Sequence, residues 1–347
     1  MPPKRIVVAG AGIVGASIAY HLAKRGAKVT VMEAAHPGAG ATGKSFGWIN
    51  ATFSKLPRAY FDLNLLGIAG WHRLEEELHG ELQIQWGGSV FWAPQAGGLQ
   101  DNVRHHQQWG YATRLIDRPE LHRLVPSLTF PVAGVACFCE PEGAVGPLAA
   151  TTALLEHARR FGAEVLYPRE AAERDLTSRD TFVLACGVDS PRLARLAGVN
   201  MPLRESPGVL VHTTSQPKLI HRVVLAPEVH FKQGSDGRIV IGGPVVAGAG
   251  TAIAQASIEQ APRIVEQAAG FLPQLRDMPI ERVTLGYRVM PLDEYPIVGF
   301  AGNNLYLAAT HSGVTLAPAI GELAAQEILD GIRVSALEPY RLSRFDS

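Results

Sequence analysis

The chain has 347 residues, 47% of them hydrophobic, which is enough to bury a large core and to form two domains. Its 32 basic and 32 acidic residues give a formal net charge of zero, which argues against a surface for nucleic acid or an anionic membrane. Three cysteines, Cys137, Cys139 and Cys186, form an odd set without the spacing of metal ligands. We therefore expect free thiols in a reducing compartment, with neither a disulfide framework nor a metal site.

The N-terminal segment predicts a cytoplasmic protein. The first strand follows directly after Met-Pro-Pro-Lys-Arg, which leaves no room for a cleavable signal. The apolar stretch that comes next is interrupted by glycines, and its pattern is typical of a βαβ unit rather than a membrane span.

Residues 6–33 have the pattern of a dinucleotide-binding βαβ unit, with a buried strand, a glycine-rich turn, a helix and a second strand. Gly10 allows the tight turn, Gly12 lets the backbone approach a pyrophosphate, and Gly15 lets the helix pack closely on the strand. Glu33 ends the second strand, where a carboxylate accepts hydrogen bonds from an adenosine ribose and repels a 2′-phosphate. This pattern predicts a dinucleotide site but does not distinguish NAD from FAD.

The remaining elements follow from hydrophobic periodicity. Strands are predicted at residues 82–93, 135–139, 164–167, 181–185, 208–212, 223–225, 238–241 and 304–309. Helices are predicted at residues 60–78, 100–110, 119–126, 148–161, 257–269 and 316–329. The glycine-rich loop at 34–48 has few side chains to obstruct a cofactor. Residues 169–175 have the composition of a polar helix or loop.

The order of these elements predicts an α/β (α+β) fold with two interleaved lobes. A Rossmann-like lobe is visited at the start, middle and end of the chain, and a smaller lobe is built on a mainly antiparallel sheet. The predicted boundaries are 1–55, 140–205 and 285–347 for the nucleotide lobe, and 56–139 and 206–284 for the substrate lobe.

Nearly the whole chain resembles the FAD-dependent D-amino-acid oxidase family, which includes glycine oxidase, sarcosine oxidase and the D-amino-acid dehydrogenases. Four segments carry this resemblance: the glycine turn with Glu33, residues 38–43, residues 181–187, and residues 286–299 with 305–321. The last is the most specific, because Arg-x-x-Pro-x-Asp-x-x-Pro-Ile-Val-Gly followed by Thr-His-Ser-Gly-Val-Thr-Leu-Ala-Pro is hard to reach by chance. The resemblance implies that the nucleotide is FAD.

Residues matching the family's cofactor site are named by the same resemblance. They are Gly10, Gly12, Ile13, Val14, Gly15, Glu33, Ala41, Thr42, Gly43, Gly187, Gly299, Ser312, Gly313, Val314 and Thr315. The loop at 41–43 matches the one along the pyrophosphate and flavin. Gly299 and residues 311–315 match the segment whose N–H groups approach the flavin pyrimidine oxygen, where reduced flavin carries negative charge. Since no cysteine lies near Arg288 or His311, we expect non-covalent FAD.

The resemblance implies an amino-acid oxidase or dehydrogenase. Such an enzyme takes a hydride from the α-carbon of a small amino acid or N-alkyl amino acid to flavin N5, and the resulting imine hydrolyses to an oxo acid. Arg288 matches the carboxylate-binding arginine, and its apolar surroundings favour an anionic partner. The alternative is a structural pair with Asp293 or Glu294. We also expect His230 and His311 in the site, His230 as a candidate base.

Further pocket candidates are Trp48, Asn50, Glu228 and Lys232. The electron acceptor is expected to be oxygen or another carrier, and an oligomer is compatible with the sequence. Two departures from the family stand out. The interval 162–180 is too short for several strands usually found there, so fewer backbone contacts are expected to hold the adenine. The lysine that sarcosine oxidases place above the flavin falls at Val240.

Two other functions remain open from the sequence. One is a flavin enzyme for another substrate, such as a 2-hydroxy acid or the substrate of a monooxygenase, although no second glycine motif is present for NAD(P)H. The other is an electron-passing flavin subunit of a larger complex.

Overall fold

The computed structural model describes residues 3–52, 55–176, 181–243, 255–256, 258–302 and 304–346. Its strands are β1 (Arg5–Ala9), β2 (Lys28–Met32), β3 (Trp48–Ile49), β4 (Ser89–Ala93), β5 (Thr113–Ile116), β6 (Val135–Cys139), β7 (Gly143–Ala144), β8 (Glu164–Leu166), β9 (Thr181–Leu184), β10 (Leu203–Ser215), β11 (Val223–Ala226), β12 (Val229–Gln233), β13 (Arg238–Gly242), β14 (Ile280–Pro291), β15 (Ile297–Phe300) and β16 (Leu305–Ala309). Its helices are α1 (Ile13–Lys24), α2 (Arg58–Glu77), α3 (Gly97–Gln108), α4 (Arg118–Leu124), α5 (Pro147–Arg160), α6 (Glu173–Leu176), α7 (Ser190–Leu196), α8 (Ala261–Ala269) and α9 (Gly313–Asp330).

The first sheet has six strands in the order β15-β16-β9-β1-β2-β8, and only β15 runs antiparallel to its neighbour. The inner strands are almost entirely apolar because both faces of a parallel sheet are covered. Helix α1 packs against α5 and α9, and α9 also packs against α2. The carboxyl ends of β1, β2, β9 and β16 therefore meet at one edge, where ligands of such sheets bind.

The second sheet has eight strands in the order β14-β10-β13-β12-β11-β4-β6-β5, antiparallel except for the pair β11–β4. One face is apolar and packs through Phe231, Ile239 and Ile241 on residues of α8. The other face carries polar side chains and approaches the carboxyl edge of the first sheet. The loop that follows β2 contacts this second sheet at Gly286 of β14, where an added Cβ would lie 2.9 Å from Lys44 Cβ. The two sheets enclose the candidate site between them.

The mixed α/β fold confirms the predicted class, and the strand at 135–139 has the predicted bounds. Several elements differ, and β5, β15 and α7 are among those that were not predicted. Only 89–93 of the predicted strand at 82–93 forms a strand, α9 begins at Gly313 rather than 316, and β14 was not predicted because its first residues are exposed and charged. The predicted start of the helix at 257–269 and the end of the interval 162–180 lie outside the described residues. The boundaries of the two lobes remain a prediction.

All three cysteines are free thiols, as expected. Among the described residues, the structure has no helix whose length and hydrophobicity would let it cross a bilayer.

Candidate functional site

The glycine turn joins β1, α1 and β9 at very short distances. Gly10 has φ of 99°, and a Cβ there would collide with the carbonyl oxygen of Ala185. A Cβ at Gly15 would collide with the carbonyl oxygen of Gly10, so this glycine lets α1 start directly against the turn. Gly12 is the N-cap residue and offers no side chain to the helix start, which leaves this end suited to a phosphate.

Glu33 lies beside this turn at the end of β2. Its Oε2 accepts a hydrogen bond from the N–H of Ala11 and its Oε1 one from the N–H of Ala35, both at 2.9 Å. A carboxylate has about four acceptor positions, so two remain for ribose hydroxyls. The shortened interval 162–180 is attached here, because the N–H of Arg169 donates to the carbonyl oxygen of Glu33 at 2.7 Å.

The loop after β2 folds back on the start of α1. Thr42 Oγ1 accepts from the N–H of Ile13 at 3.0 Å, and the N–H of Gly43 donates to the carbonyl oxygen of Gly38 at 2.8 Å. Ala41 therefore lies in a tight turn next to the glycine motif. A Cβ at Gly12 would come within 3.1 Å of Thr42 Oγ1, so the loop leaves room for backbone but little more.

The start of α9 reaches the same corner. A Cβ at Gly313 would lie 3.5 Å from Val14 Cγ2, so the two helices begin side by side. Thr315 Oγ1 donates to the carbonyl oxygen of Trp48 and accepts from the N–H of Asn50, both at 3.2 Å. Ser312, the N-cap residue of α9, precedes this first turn.

Gly187 follows β9 at φ of 62°, and a Cβ there would lie 3.4 Å from Val289 Cγ2 on β14. It therefore also lies between the two sheets. Gly299 does not: it lies in the middle of β15, opposite Leu307, away from the carboxyl edge. A Cβ at Gly299 would collide with the Arg341 guanidinium, which also binds Glu327 of α9. Packing against Arg341 accounts for the absence of a side chain at Gly299, while the other predicted cofactor residues lie together. A role of Gly299 at the cofactor remains a prediction.

Arg288 lies on the polar face of the second sheet, opposite Ser206 of β10. Its guanidinium covers Gly208, where an added Cβ would lie 2.6 Å from Cζ, and Nη1 donates to the carbonyl oxygen of Pro207 at 2.8 Å. Burial lowers the pKa of Arg288. No carboxylate of the described residues forms an ion pair with it. The guanidinium is thus desolvated and held through Nη1 by Pro207, and its remaining N–H groups can bind an anion.

The structural alternative for Arg288 does not form. Asp293 binds Arg344, with Oδ2 at 2.6 Å from Nε, and Glu294 binds Arg204 at 2.8 Å. Both acidic neighbours in the motif therefore have other partners.

The two predicted histidines lie within the electrostatic reach of Arg288. His230 shares its sheet face, opposite Gly242, and its ring meets the Phe46 ring edge-on at 4.7 Å. Burial, reinforced by the charge of Arg288, lowers the pKa of His230 to about 4. His311 is exposed at the surface, although the protein around it desolvates the ring; this desolvation and the charges of Lys55 and Arg288 lower its pKa to about 4. The two histidines, neutral because of these lowered pKa values, thus lie within the electrostatic reach of the Arg288 cation.

Lys232 and Glu228 separate in the structure. Lys232 is buried opposite Val240, where its Nζ donates to the carbonyl oxygens of Val145 at 2.9 Å and Gly47 at 3.2 Å. Burial lowers the pKa of this amine to about 7. It holds the cofactor loop on the sheet. Glu228 is exposed in the turn between β11 and β12, where its carboxylate accepts from Gln267 of α8.

Two buried groups escaped the sequence analysis. Lys55 is 7% exposed and donates to Ser312 Oγ. Glu142 is fully buried and accepts from Thr52 Oγ1 and from Trp48 Nε1, the latter at 3.1 Å; burial raises its pKa. Neither belongs to a local motif, because each reaches the site from a separate loop, so no sequence pattern signalled them.

Gly208→Ala tests the support beneath Arg288. The new methyl group would displace the guanidinium, so we expect the half-saturating concentration of an amino-acid substrate to rise about 10- to 100-fold with FAD retained. Gly98→Ala in α3 is the matched control, because a Cβ there meets no atom within 4 Å. Anaerobic titrations of flavin absorbance measure both; equal half-saturation in the two variants would show that the position of Arg288 is unimportant.

This architecture, a glycine turn at the carboxyl edge of a parallel sheet facing the polar face of a second sheet, defines a two-lobed dinucleotide-dependent enzyme. The model of the family described as FAD dependent oxidoreductase (DAO) matches residues 5–327. The chain therefore belongs to this family of FAD-dependent oxidoreductases.

Individual relatives agree with this assignment. The chain is 26% identical to glycine oxidase of Bacillus licheniformis, over 97% of this chain and 96% of that protein. It is also 26% identical to an opine oxidase subunit of Agrobacterium tumefaciens, over 98% of this chain and 97% of the relative. Its fold is similar to L-proline dehydrogenase from P. horikoshii, with a TM-score of 0.86 and 24% identity over 100% of this chain and 99% of that one.

The described residues fit FAD, the family's cofactor. The glycine turn forms a cradle that side chains would fill, and Glu33 ends β2 as an acceptor for ribose. Asn50 adds an independent sign: its Oδ1 is buried and has no hydrogen-bond partner in the described part of the chain, although its backbone touches α9. Bound FAD supplies a hydride acceptor at flavin N5.

Proposed function

We propose that this protein oxidises the Cα–N bond of a small amino acid or N-alkyl amino acid that Arg288 binds by its carboxylate. The observation that carries this proposal is the desolvated guanidinium without a carboxylate partner among the described residues, on the sheet face opposite the nucleotide-binding edge. A planar guanidinium meets both oxygens of a carboxylate at once and fixes the α-carbon next to it. The relatives named glycine oxidase and opine oxidase are named for amino-acid-like substrates, which supports the assignment.

The other residues orient the substrate and exclude water more than they transfer protons. A neutral imidazole with a pKa near 4 is a weak base for an ammonium group, so His230 and His311 suit hydrogen bonding better than proton abstraction. The substrate amine is then expected to arrive neutral. Cofactor and substrate meet in a crowded, desolvated space where positioning provides most of the rate.

The pH dependence of flavin reduction tests this division of roles. Neither histidine changes charge between about pH 5 and 9, because both pKa values lie near 4. We expect the rate constant for reduction to rise with deprotonation of the substrate ammonium, without a step near pH 6.5. Anaerobic stopped-flow measurements across this range provide the profile. A step near 6.5 that disappears in His230→Gln would instead make His230 the base.

The most direct experiment for the reaction is an anaerobic screen of FAD-loaded protein with D-, L- and N-methyl amino acids, with 2-hydroxy acids in parallel. Bleaching of the flavin by amino acids alone supports the proposal. Bleaching by a hydroxy acid alone would replace it. FAD is proposed to be bound non-covalently, and the final electron acceptor to be oxygen or another carrier.

A second candidate function is a flavin subunit that passes electrons onward within a larger complex. The similarity to a protein named as one subunit of an opine oxidase favours it. Steady turnover of the isolated chain with an artificial acceptor, but not with oxygen, would support this role. Cytoplasmic location remains a prediction.

A further inference from the structure

Lys55 is buried at a place where no described residue forms an ion pair with its ammonium group. Its side chain is 7% exposed, and its Nζ donates to Ser312 Oγ and lies 5.1 Å from the centre of the Tyr60 ring. The Tyr60 hydroxyl makes a second contact with the same Ser312 oxygen at 2.8 Å. Both contacts are with neutral groups. Burying an ammonium group without an anion is costly.

The Lys55 ammonium group also lies beside the N-terminus of a helix, where a positive charge is unfavourable. Ser312 is the N-cap residue of α9, an 18-residue helix whose N-terminus carries partial positive charge. A lysine there adds positive charge to positive charge, which a purely structural role would not favour. Within the described residues, Lys55 forms no ion pair. Glu142 is the acidic residue whose charge acts on Lys55, but its carboxylate already accepts hydrogen bonds from Thr52 and Trp48.

An anion that could pair with Lys55 would have to lie beside the start of α9. This helix begins alongside α1, since Gly313 approaches Val14, and the start of α1 is the proposed pyrophosphate site. Only a ribityl chain separates the pyrophosphate of FAD from its flavin ring, so the ring of bound FAD would lie close to this corner. Reduced flavin concentrates its negative charge on N1 and the C2 oxygen.

We propose that Lys55 is the positive charge that stabilises the anionic forms of the flavin, acting together with the start of α9. This inference rests on the proposed placement of FAD. Ser312 keeps the amine in position from one side and Tyr60 orders Ser312 from the other. Lys55 thus stabilises negative charge on the flavin, whereas Arg288 binds the substrate.

Sulfite binding tests the proposal without any substrate. Sulfite adds to N5 of oxidised flavin and leaves negative charge at N1, so the adduct is stabilised by the same cation that stabilises reduced flavin. In FAD-loaded protein, Lys55→Met is expected to raise the sulfite dissociation constant about tenfold or more. Lys55→Arg, which keeps the charge, is expected to stay close to wild type.

Lys28→Met is the matched control, because it removes an exposed lysine at the start of β2 and is expected to change sulfite affinity little. If Lys55→Met does not hold FAD, Lys55→Gln takes its place, because it retains a donor for Ser312 without charge. Photoreduction of wild type is a further readout, with the red anionic semiquinone expected.

Three results would overturn the inference. The first is unchanged sulfite affinity in Lys55→Met or Lys55→Gln. The second is a raised half-saturation for amino acids with normal sulfite affinity, which would make Lys55 a second substrate anchor. The third is a blue neutral semiquinone in wild type. A chain that takes up no FAD would instead contradict the proposed function, so the two failures are distinguishable.

Discussion

Arg288→Ala is expected to remove productive binding of amino acids while leaving FAD in place. The guanidinium is largely desolvated, so deletion of one partner from the pair with a substrate carboxylate should cost about 2–5 kcal/mol. Arg288→Lys should also be poor, because an ammonium group cannot meet both carboxylate oxygens in a plane. Anaerobic titration of flavin absorbance with increasing amino acid measures the loss.

The control for this variant is Arg282→Ala, an exposed arginine on the same strand β14. It should reduce its flavin as wild type does, and both variants should purify with the same FAD content. Wild-type rate and half-saturation in Arg288→Ala would mean that the carboxylate binds elsewhere.

Glu33→Arg is expected to have the largest effect on cofactor binding. The substitution removes the proposed ribose acceptor, adds a cation, and frees the N–H groups of Ala11 and Ala35 that Glu33 holds. Loss of hydrogen bonds to a charged group should cost about 1.5–3 kcal/mol, or roughly 10- to 150-fold in the FAD dissociation constant. Fluorescence titration of apoprotein with FAD measures this directly.

Glu164→Arg makes the same charge change at an exposed residue on the opposite, amino edge of the sheet, and should bind FAD normally. Acid precipitation of wild type should release the yellow cofactor, since the proposed attachment is non-covalent. Equal FAD affinity in Glu33→Arg and wild type would show that the ribose is held by other groups.

The nucleotide-binding lobe was largely predictable because its determinants are local. The glycines at 10, 12 and 15 and the acid at 33 lie within one βαβ unit, where spacing along the chain determines position in space. A continuous motif likewise surrounds Arg288, and the role of this arginine in binding a carboxylate remains a prediction. The family model confirms FAD, which the glycine pattern alone had left undecided.

What the sequence missed depends on contacts between distant segments. Lys55 donates a hydrogen bond to Ser312, which is 257 residues away in the sequence, and Lys232 donates one to Gly47, which is 185 residues away. Gly299 packs against Arg341, a contact across distant segments that its motif does not reveal, and its proposed role at the cofactor remains a prediction. The pKa values of the histidines likewise depend on burial and on Arg288, which no local pattern reveals.

The central claim is that Arg288 binds amino acids by their carboxylate so that the facing flavin oxidises them. One anaerobic experiment tests this claim most directly. FAD-loaded wild type and Arg288→Ala are mixed with D-, L- and N-methyl amino acids, and flavin absorbance is followed. The account predicts that at least one amino acid bleaches wild type and that the variant, with equal FAD, stays oxidised or needs far higher concentrations. Equal bleaching of both proteins, or reduction of wild type only by compounds that are not amino acids, would contradict it.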